Sequence, residues 1–368
     1  MLFRSLNTEV IRGTEDLLAR LQNLGIDQLQ LRQPIRWCNA IEKGLFHKPY
    51  FIFGIHPDLR CGVCLPLALV KSSLFGRFLV SLPYINTGGP FLFQTQDGNS
   101  SAIEADERSP LLEGTIDKAV DLADSLDVKY LELRNEERIS HPALHFERTD
   151  KVLMRLSLPN DSESLLRSFK SKLRSQVKSA GGKSLDVFFG GEELLDDFYS
   201  VFSRNMRDLG TPVFAKSFFR AILQSFSNGD FSSNAELCVV QREGLAIAGA
   251  LLIHHQGRTE VPSASSNKMF NSLGANMWMY WNLLQRGIEK GSREFDFGRS
   301  SVDGGTYRFK EQWGAVPQMS IWQYYIRKGD PSRMRPEDPA KRKMIRVWQK
   351  LPLWIANRLG PWVVRGIP

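Results

Sequence analysis

Short, dense apolar runs separated by polar, glycine- and proline-bearing stretches recur along this chain, the rhythm expected where strands and amphipathic helices alternate. The runs at 50–55 (YFIFGI), 61–70 (CGVCLPLALV) and 78–85 (FLVSLPYI) predict strands, followed by a glycine-proline loop, NTGGP, at 86–90. Helical spacing at Leu112, Ile116, Ala119, Ala123 and Leu126 predicts a helix over 110–126, ahead of a short strand YLELR at 130–134. A second block opens near 150 with the strand VLMRLSL (152–158). It continues with a helix over 162–179, a strand at 185–189, helices at 191–209 and 216–227, and strands at 235–241, 245–255 and 258–264. A helix over 275–290, the strand EFDFG and the strand IWQYYI (321–326) close that block. The blocks echo each other. In each, a helix leads into a strand with a central carboxylate and an arginine near its end, a pattern expected of a duplicated α/β unit.

Length and composition fit this picture. The chain has 368 residues, more than one ordinary core accommodates, and 42% of them are hydrophobic, so two folded domains are expected rather than a disordered chain. No apolar run approaches the length of a bilayer span, and the opening MLFRSLNTEV lacks a signal-peptide core, so a cytoplasmic protein is expected. Cys61 and Cys64 form a CxxC, but a strand follows instead of a helix and no second pair exists, so buried strand cysteines are expected, with no metal site. Of the net charge of +8, all resides in 327–368, with eleven Lys/Arg against three Asp/Glu.

Chemistry concentrates at 295–314, FDFGRSSVDGGTYRFKEQWG. Phe295 and Phe297 share a strand face, so Asp296 faces the other way. Past the strand, Gly298 and Gly304-Gly305 let backbone approach a ligand, while Arg299 and Lys310 can hold a phosphate or carboxylate. Tyr307, Ser300 and Ser301 add hydroxyls, and Tyr307 and Lys310 share a face if 306–313 is helical, with Phe309 and Trp313 on another. The alternative is an ordinary loop with a local ion pair. A second candidate is 267–276, NKMFNSLGAN: Gly274 and Asn276 open a helix whose free N–H groups can receive phosphate, with Lys268 nearby. Capping by Ser272 or Asn276 is the plainer account. The basic helix around 170–183 can meet phosphates or RNA, or present a solvated face. Motifs for serine hydrolases, zinc proteases, P-loops and dinucleotide folds are missing, which leaves chemistry by positioning, an acid or base, and an anion site.

The segment FDFGRS followed by G-x-Y-x-F-K-x-x-W-G (305–314) resembles the signature of FemAB-related acyltransferases, more narrowly those associated with the PEP-CTERM/exosortase system. SLPYINTGGPF (81–91), YLELRNEER (130–138), LRSQVKSAGG (173–182), MRDLGTPVF (206–214), ASSNKMFNSLGANMWMYW (264–281) and the tail from 346 extend the resemblance over nearly the whole chain. It implies an α+β fold of tandem GNAT-like (acetyltransferase-like) domains with mixed, mostly antiparallel sheets: 1–150, 151–330, and a basic amphipathic tail, 331–368. It implies N-acyl or aminoacyl transfer to an amine on a cell-envelope or exopolysaccharide precursor. A non-catalytic adaptor of the same fold is the alternative. Asp296, Lys310 and Tyr307 would then be catalytic. Arg299, Ser300, Gly305, Lys268, Gly274 and Asn276 would bind substrate, joined by Tyr84 and Asn86 of the first domain. The loop 267–276 lacks the usual R/Q-x-x-G-x-G/A pattern, so aminoacyl-tRNA stands beside acyl-CoA as donor, with no tightly bound cofactor. The tail, with Lys341, Arg342, Lys343, Arg346 and Lys350 beside Met344, Ile345, Trp348 and Leu351, is expected either to pack on the second domain or to touch an anionic membrane peripherally. Pro352 interrupts it, and Gly360-Pro361 should end the helix that resumes after it.

Overall fold

In the computed structural model, residues 7–56, 61–94, 105–227, 233–329 and 339–367 are described. The first half runs β1 (Asn7–Arg12), α1 (Thr14–Asn23), α2 (Arg32–Leu45), β2 (Lys48–His56), β3 (Cys61–Ser72), β4 (Gly76–Val80), β5 (Phe91–Gln94), α3 (Ala105–Ser125), β6 (Tyr130–Asn135) and β7 (Phe146–Arg148). The second begins β8 (Lys151–Ser157), α4 (Ser162–Ser168), α5 (Ser171–Gly181), β9 (Asp186–Gly190), α6 (Leu195–Leu209), α7 (Lys216–Phe226), β10 (Ser233–Arg242), β11 (Leu245–His255) and β12 (Arg258–Ser266). It ends α8 (Ala275–Glu289), β13 (Glu294–Ser301), α9 (Gly305–Glu311), β14 (Val316–Met319), β15 (Ile321–Ile326), α10 (Pro339–Gln349) and α11 (Leu353–Val364). Two compact units result. One takes Met1–Thr149, Ser320–Arg335 and Arg365–Pro368; the other takes Asp150–Met319 and Pro336–Val364.

The first unit is a sheet of order β1-β2-β3-β4-β6-β15-β7, with β5 paired to β3. Among its described strands only β4 and β6 pair in parallel, as the crossover through α3 requires. Ile116, Ala119 and Ala123 of α3 bury against Ile52, Leu65, Leu67 and Leu131. The first ten residues of β3 are buried without alternation, as a strand covered on both faces demands, and Cys61 and Cys64 are free and buried within it.

The second unit repeats the plan: β14-β8-β13-β12-β11-β10-β9, with β12 and β13 the parallel pair and α8 the crossover. One face carries Phe295 and Phe297 against Met279, Trp281 and Leu284 of α8 and Leu173 and Val177 of α5. On the other, Phe198 and Phe202 of α6 meet Phe219 of α7, and Phe198 lies over Gly249 of β11. The two mixed, mostly antiparallel sheets match the expected fold class, and the helix-to-strand echo marks the two corresponding crossovers.

Several expectations are corrected. The strand IWQYYI does not close the second block. As β15 it pairs with β6 and β7, where Tyr324 opposes Glu132 and Phe146. The strand expected over 78–85 stops at Val80, because Leu82 and Tyr84 take positive φ (43° and 71°) in a turn that Arg134 holds by donating to the Ile85 carbonyl. The helix expected over 162–179 breaks at Phe169, which goes extended and turns its ring into the core against Trp281 and Trp313. Gly360-Pro361 does not end α11, which runs on to Val364 with Pro361 inside it.

Candidate active site

β12 and β13 pair over three residues only, ending at Glu260 opposite Asp296. Each strand bulges immediately beyond that pair. On β12 the register against β11 slips between Leu251 and Ile253, with Pro262 in the slipped stretch, a place where a missing N–H is tolerated. On β13 the register against β8 slips between Asp296 and Arg299. Gly298, at φ 78°, supplies the left-handed residue that such a bulge uses. Bulges bend strands, and these two part the pair. No ladder joins 261–266 to 297–301.

The β13 bulge also decides which side chains meet. Asp296 opposes Arg155, and Arg299 opposes Leu153, two residues along β8. Cross-strand partners share a face, so Asp296 and Arg299 lie on the same side, although a regular strand would separate them. Ser300 opposes Val152 and therefore lies on the α8 side, where its buried hydroxyl has no hydrogen-bond partner.

Asp296 is 4% exposed. Its Oδ2 accepts from Arg155 Nε at 2.9 Å and its Oδ1 from the Gly298 N–H at 2.7 Å, so one carboxylate holds both the ion pair and the bulge. Arg155 Nη1 donates to Gln318 Oε1 at 2.6 Å. Glu260 accepts from His255 Nε2 at 2.7 Å. Burial, and then the neighbouring Glu260, push the Asp296 carboxyl above its usual range against the pull of Arg155. Burial works against the Glu260 charge too, but His255 and Arg258 hold that carboxylate below the ordinary range. Lys310, on α9, donates to the Gly298 and Arg299 carbonyls, both at 3.0 Å. Burial lowers its ammonium to about 8, with the Asp296 charge opposing.

The other predicted residues divide. α8 starts at Gly274, φ 68°, with no side chain capping it; neither Ser272 nor Asn276 does so. Its first N–H groups precede the Trp278 N–H···O Gly274 bond and stay available at the open end. A Cβ on Gly274 would meet Ala180 Cβ of α5 at 3.2 Å, which fixes that end against α5. Asn276 is half-buried and Lys268 exposed. Tyr307 and Phe309 are partly buried against the core on the α8 side. Gly305 is exposed and a Cβ there would meet nothing within 4 Å, so no close approach explains that glycine. On α5, Leu173, Val177 and Ala180 are buried, while Lys172, Arg174 and Lys178 are exposed.

Tyr84 and Asn86 belong to the first unit. There β4 and β6 also pair over three residues, ending at Val80 opposite Glu132, but the loop 81–88 fills the space beyond. The Gly88 N–H donates to the Arg134 carbonyl, and Arg134 Nε pairs with Glu132 at 2.7 Å. Tyr84 Oη donates to the Arg365 carbonyl at 2.8 Å and meets His47 Nε2 at 2.9 Å, so His47 carries its proton on Nε2.

Arg155, His255 and Glu260 were not singled out from sequence. The signal available was a charge in the middle of an apolar strand, LMRLS, as with Asp296. A second buried set, Glu236 between His254 Nε2 at 2.9 Å and Arg286 at 2.8 Å, continues through Thr259 to Ser292. It has the order of a nucleophilic triad, but Thr259 is wholly buried, so it serves as a structural strut.

Residues 167–311, which contain the parted strands, α8 and α9, match the family model described as an acetyltransferase (GNAT) domain. Among solved structures the fold is similar to the crystal structure of FemX, at 15% identity and TM-score 0.58 over 87% of this chain and 97% of that one. It is also similar to the structure of L-PGS from Bacillus licheniformis, at 13% identity and TM-score 0.51 over 92% and 97%. No curated protein matches the sequence. Residues 167–311 are thus similar to a GNAT-type acetyltransferase domain, and the fold of the chain is similar to that of FemX.

Proposed function

We propose that this protein is an N-acyltransferase that moves an acyl or aminoacyl group to an amine on a cell-envelope or exopolysaccharide precursor. The observation that carries the reading is the coincidence of the GNAT match with strands parted at Glu260/Asp296. The uncapped α8 N-terminus suits the phosphates of an acyl donor, whether acyl-CoA or aminoacyl-tRNA. The amine, having given one proton to solvent, attacks the ester or thioester carbonyl; the carbonyl oxygen gains negative charge, and as the amide forms the C–S or C–O bond breaks and the donor's thiol or ribose hydroxyl leaves with the remaining amine proton. Lys310 uses two of its three N–H groups on carbonyls, and the third is suited to that oxyanion. Asp296, with both oxygens engaged, is assigned as the residue that positions the bulge, Arg299 and Lys310, and not as the base. Ser300 supplies a hydroxyl to the substrate. The filled gap in the first unit supports one catalytic half. The link to a PEP-CTERM/exosortase system rests on the motif resemblance.

The test is mass spectrometry of envelope polysaccharide from cells with and without the gene, alongside purified protein offered acyl-CoA or aminoacyl-tRNA with amino-sugar acceptors. An added acyl mass that disappears in the knockout is expected. No mass difference together with tight glycan binding would assign the adaptor role instead.

A further inference from the structure

α11 is built inside out. Its buried positions are the small residues Ala356 and Gly360, with Val364. A Cβ on Gly360 would lie 2.8 Å from the Val213 nitrogen, so the helix backbone itself makes the contact. Two residues away along the chain, about 200° around the helix, Trp354 and Trp362 stand 70% and 49% exposed. Arg358 lies between them at spacing four, also exposed. Leu359 beside them, and Met344 and Val347 on α10, are exposed as well. A helix that only completes a core does the reverse, with large apolar residues inward. Within α10, α11 and the turn between them the charge has one sign, and the adjoining acid of α6, Asp208, is already paired with Arg207 at 2.6 Å. Residues 339–367 hold seven Lys/Arg and no Asp or Glu, and Arg346, Lys350 and Arg358 are exposed.

We infer that α10 and α11 form an interfacial patch that docks on an anionic phospholipid surface. Tryptophan rings settle at headgroup depth, and the cations beside them meet lipid phosphates. Charge selects this occupant. A surface negative throughout its extent complements a patch positive throughout its own, whereas a second copy of the chain would bring the same sign and be repelled. Among the described residues no helix is long and apolar enough to cross a membrane, so the association is peripheral. It stands independently of the acyl-transfer reading.

Flotation of the full chain with phosphatidylcholine vesicles, with and without phosphatidylglycerol, tests this. The protein should float with anionic vesicles at low salt, stay behind with neutral ones, and be released by high salt. Arg346→Gln with Arg358→Gln should weaken partition roughly thirtyfold, and Trp354→Ala with Trp362→Ala about tenfold. All four side chains are exposed or half-exposed, so circular dichroism and melting should match the parent. Failure to float at low salt overturns the proposal, as does equal flotation of both variants. Dimerisation without vesicles that the tryptophan variant abolishes would assign the patch to a second copy.

Discussion

Burial among carbonyls, offset in part by one carboxylate, leaves the Lys310 ammonium titrating at about 8. If its cation holds the oxyanion, transfer should fall as pH rises through that value, and a pH–rate profile reads this directly; a rate that rises instead would make Lys310 the base. Lys310→Met should lower kcat about 10²- to 10³-fold and cost about 1–3 kcal/mol for the two carbonyls left bare. Asp296 is coupled differently. Asp296→Asn removes the nearer of the two carboxylates that pair with buried Arg155, Glu294 lying at 3.7 Å, and should destabilise the fold by about 1–3 kcal/mol in urea denaturation. Adding Arg155→Met should recover most of that loss, whereas a purely catalytic Asp296 would show no such rescue. Sequence made Asp296 and Lys310 legible because charges in or just after an apolar strand stand out. It did not reveal that Asp296 is tied up at both oxygens, because its partners lie 141 residues away and on the backbone.

Between residue and fold, the decisive devices are the paired bulges on β12 and β13. Gly298 carries φ 78°, where a Cβ costs about 1–2 kcal/mol. Gly298→Ala should therefore lower stability by that amount and also impair transfer, because Arg299 and Ser300 lose their faces. A stability loss with unchanged kcat would mean the bulge is only structural. Gly360→Leu should undock α11 from Val213, read as faster proteolysis of 339–367 with the rest of the chain intact. Bulges were not legible in the pattern of apolar positions. Alternation predicts which strands exist, but a one-residue slip is decided by the neighbouring strand. The same holds for the turn 81–85, whose apolar composition reads as strand although it serves as a plug.

Taken whole, the molecule should be acid-sensitive in two steps. Burial, with the Arg365 charge adding to it, lowers the His47 imidazole to about 4. A histidine protonates more readily when unfolded, so stability falls as pH drops from about 6.5 towards 4, by about 2–3 kcal/mol at the lower end. Burial alone would raise Glu236, but Arg286 and His254 bring it down to about 2. Its contribution is intact above about 4.5 and is lost below. Urea titrations across this range check both, and His47→Gln should flatten the upper step. The paired α/β units were legible because each repeats helix, then acid-bearing strand. The strands' membership was not: β15 follows β14 by one residue yet joins β6, a choice made by the sheets' edges and invisible to local pattern. That exchange has a cost during synthesis. β6 is complete at residue 135 and pairs with β4, but it gains its second neighbour only when residues 321–326 arrive. At about 5–20 residues per second, the first sheet keeps an open hydrogen-bonding edge for roughly 10–35 s on the ribosome. The first half of the gene, expressed alone, encodes an unfinished sheet, whereas the second carries all seven strands of its own.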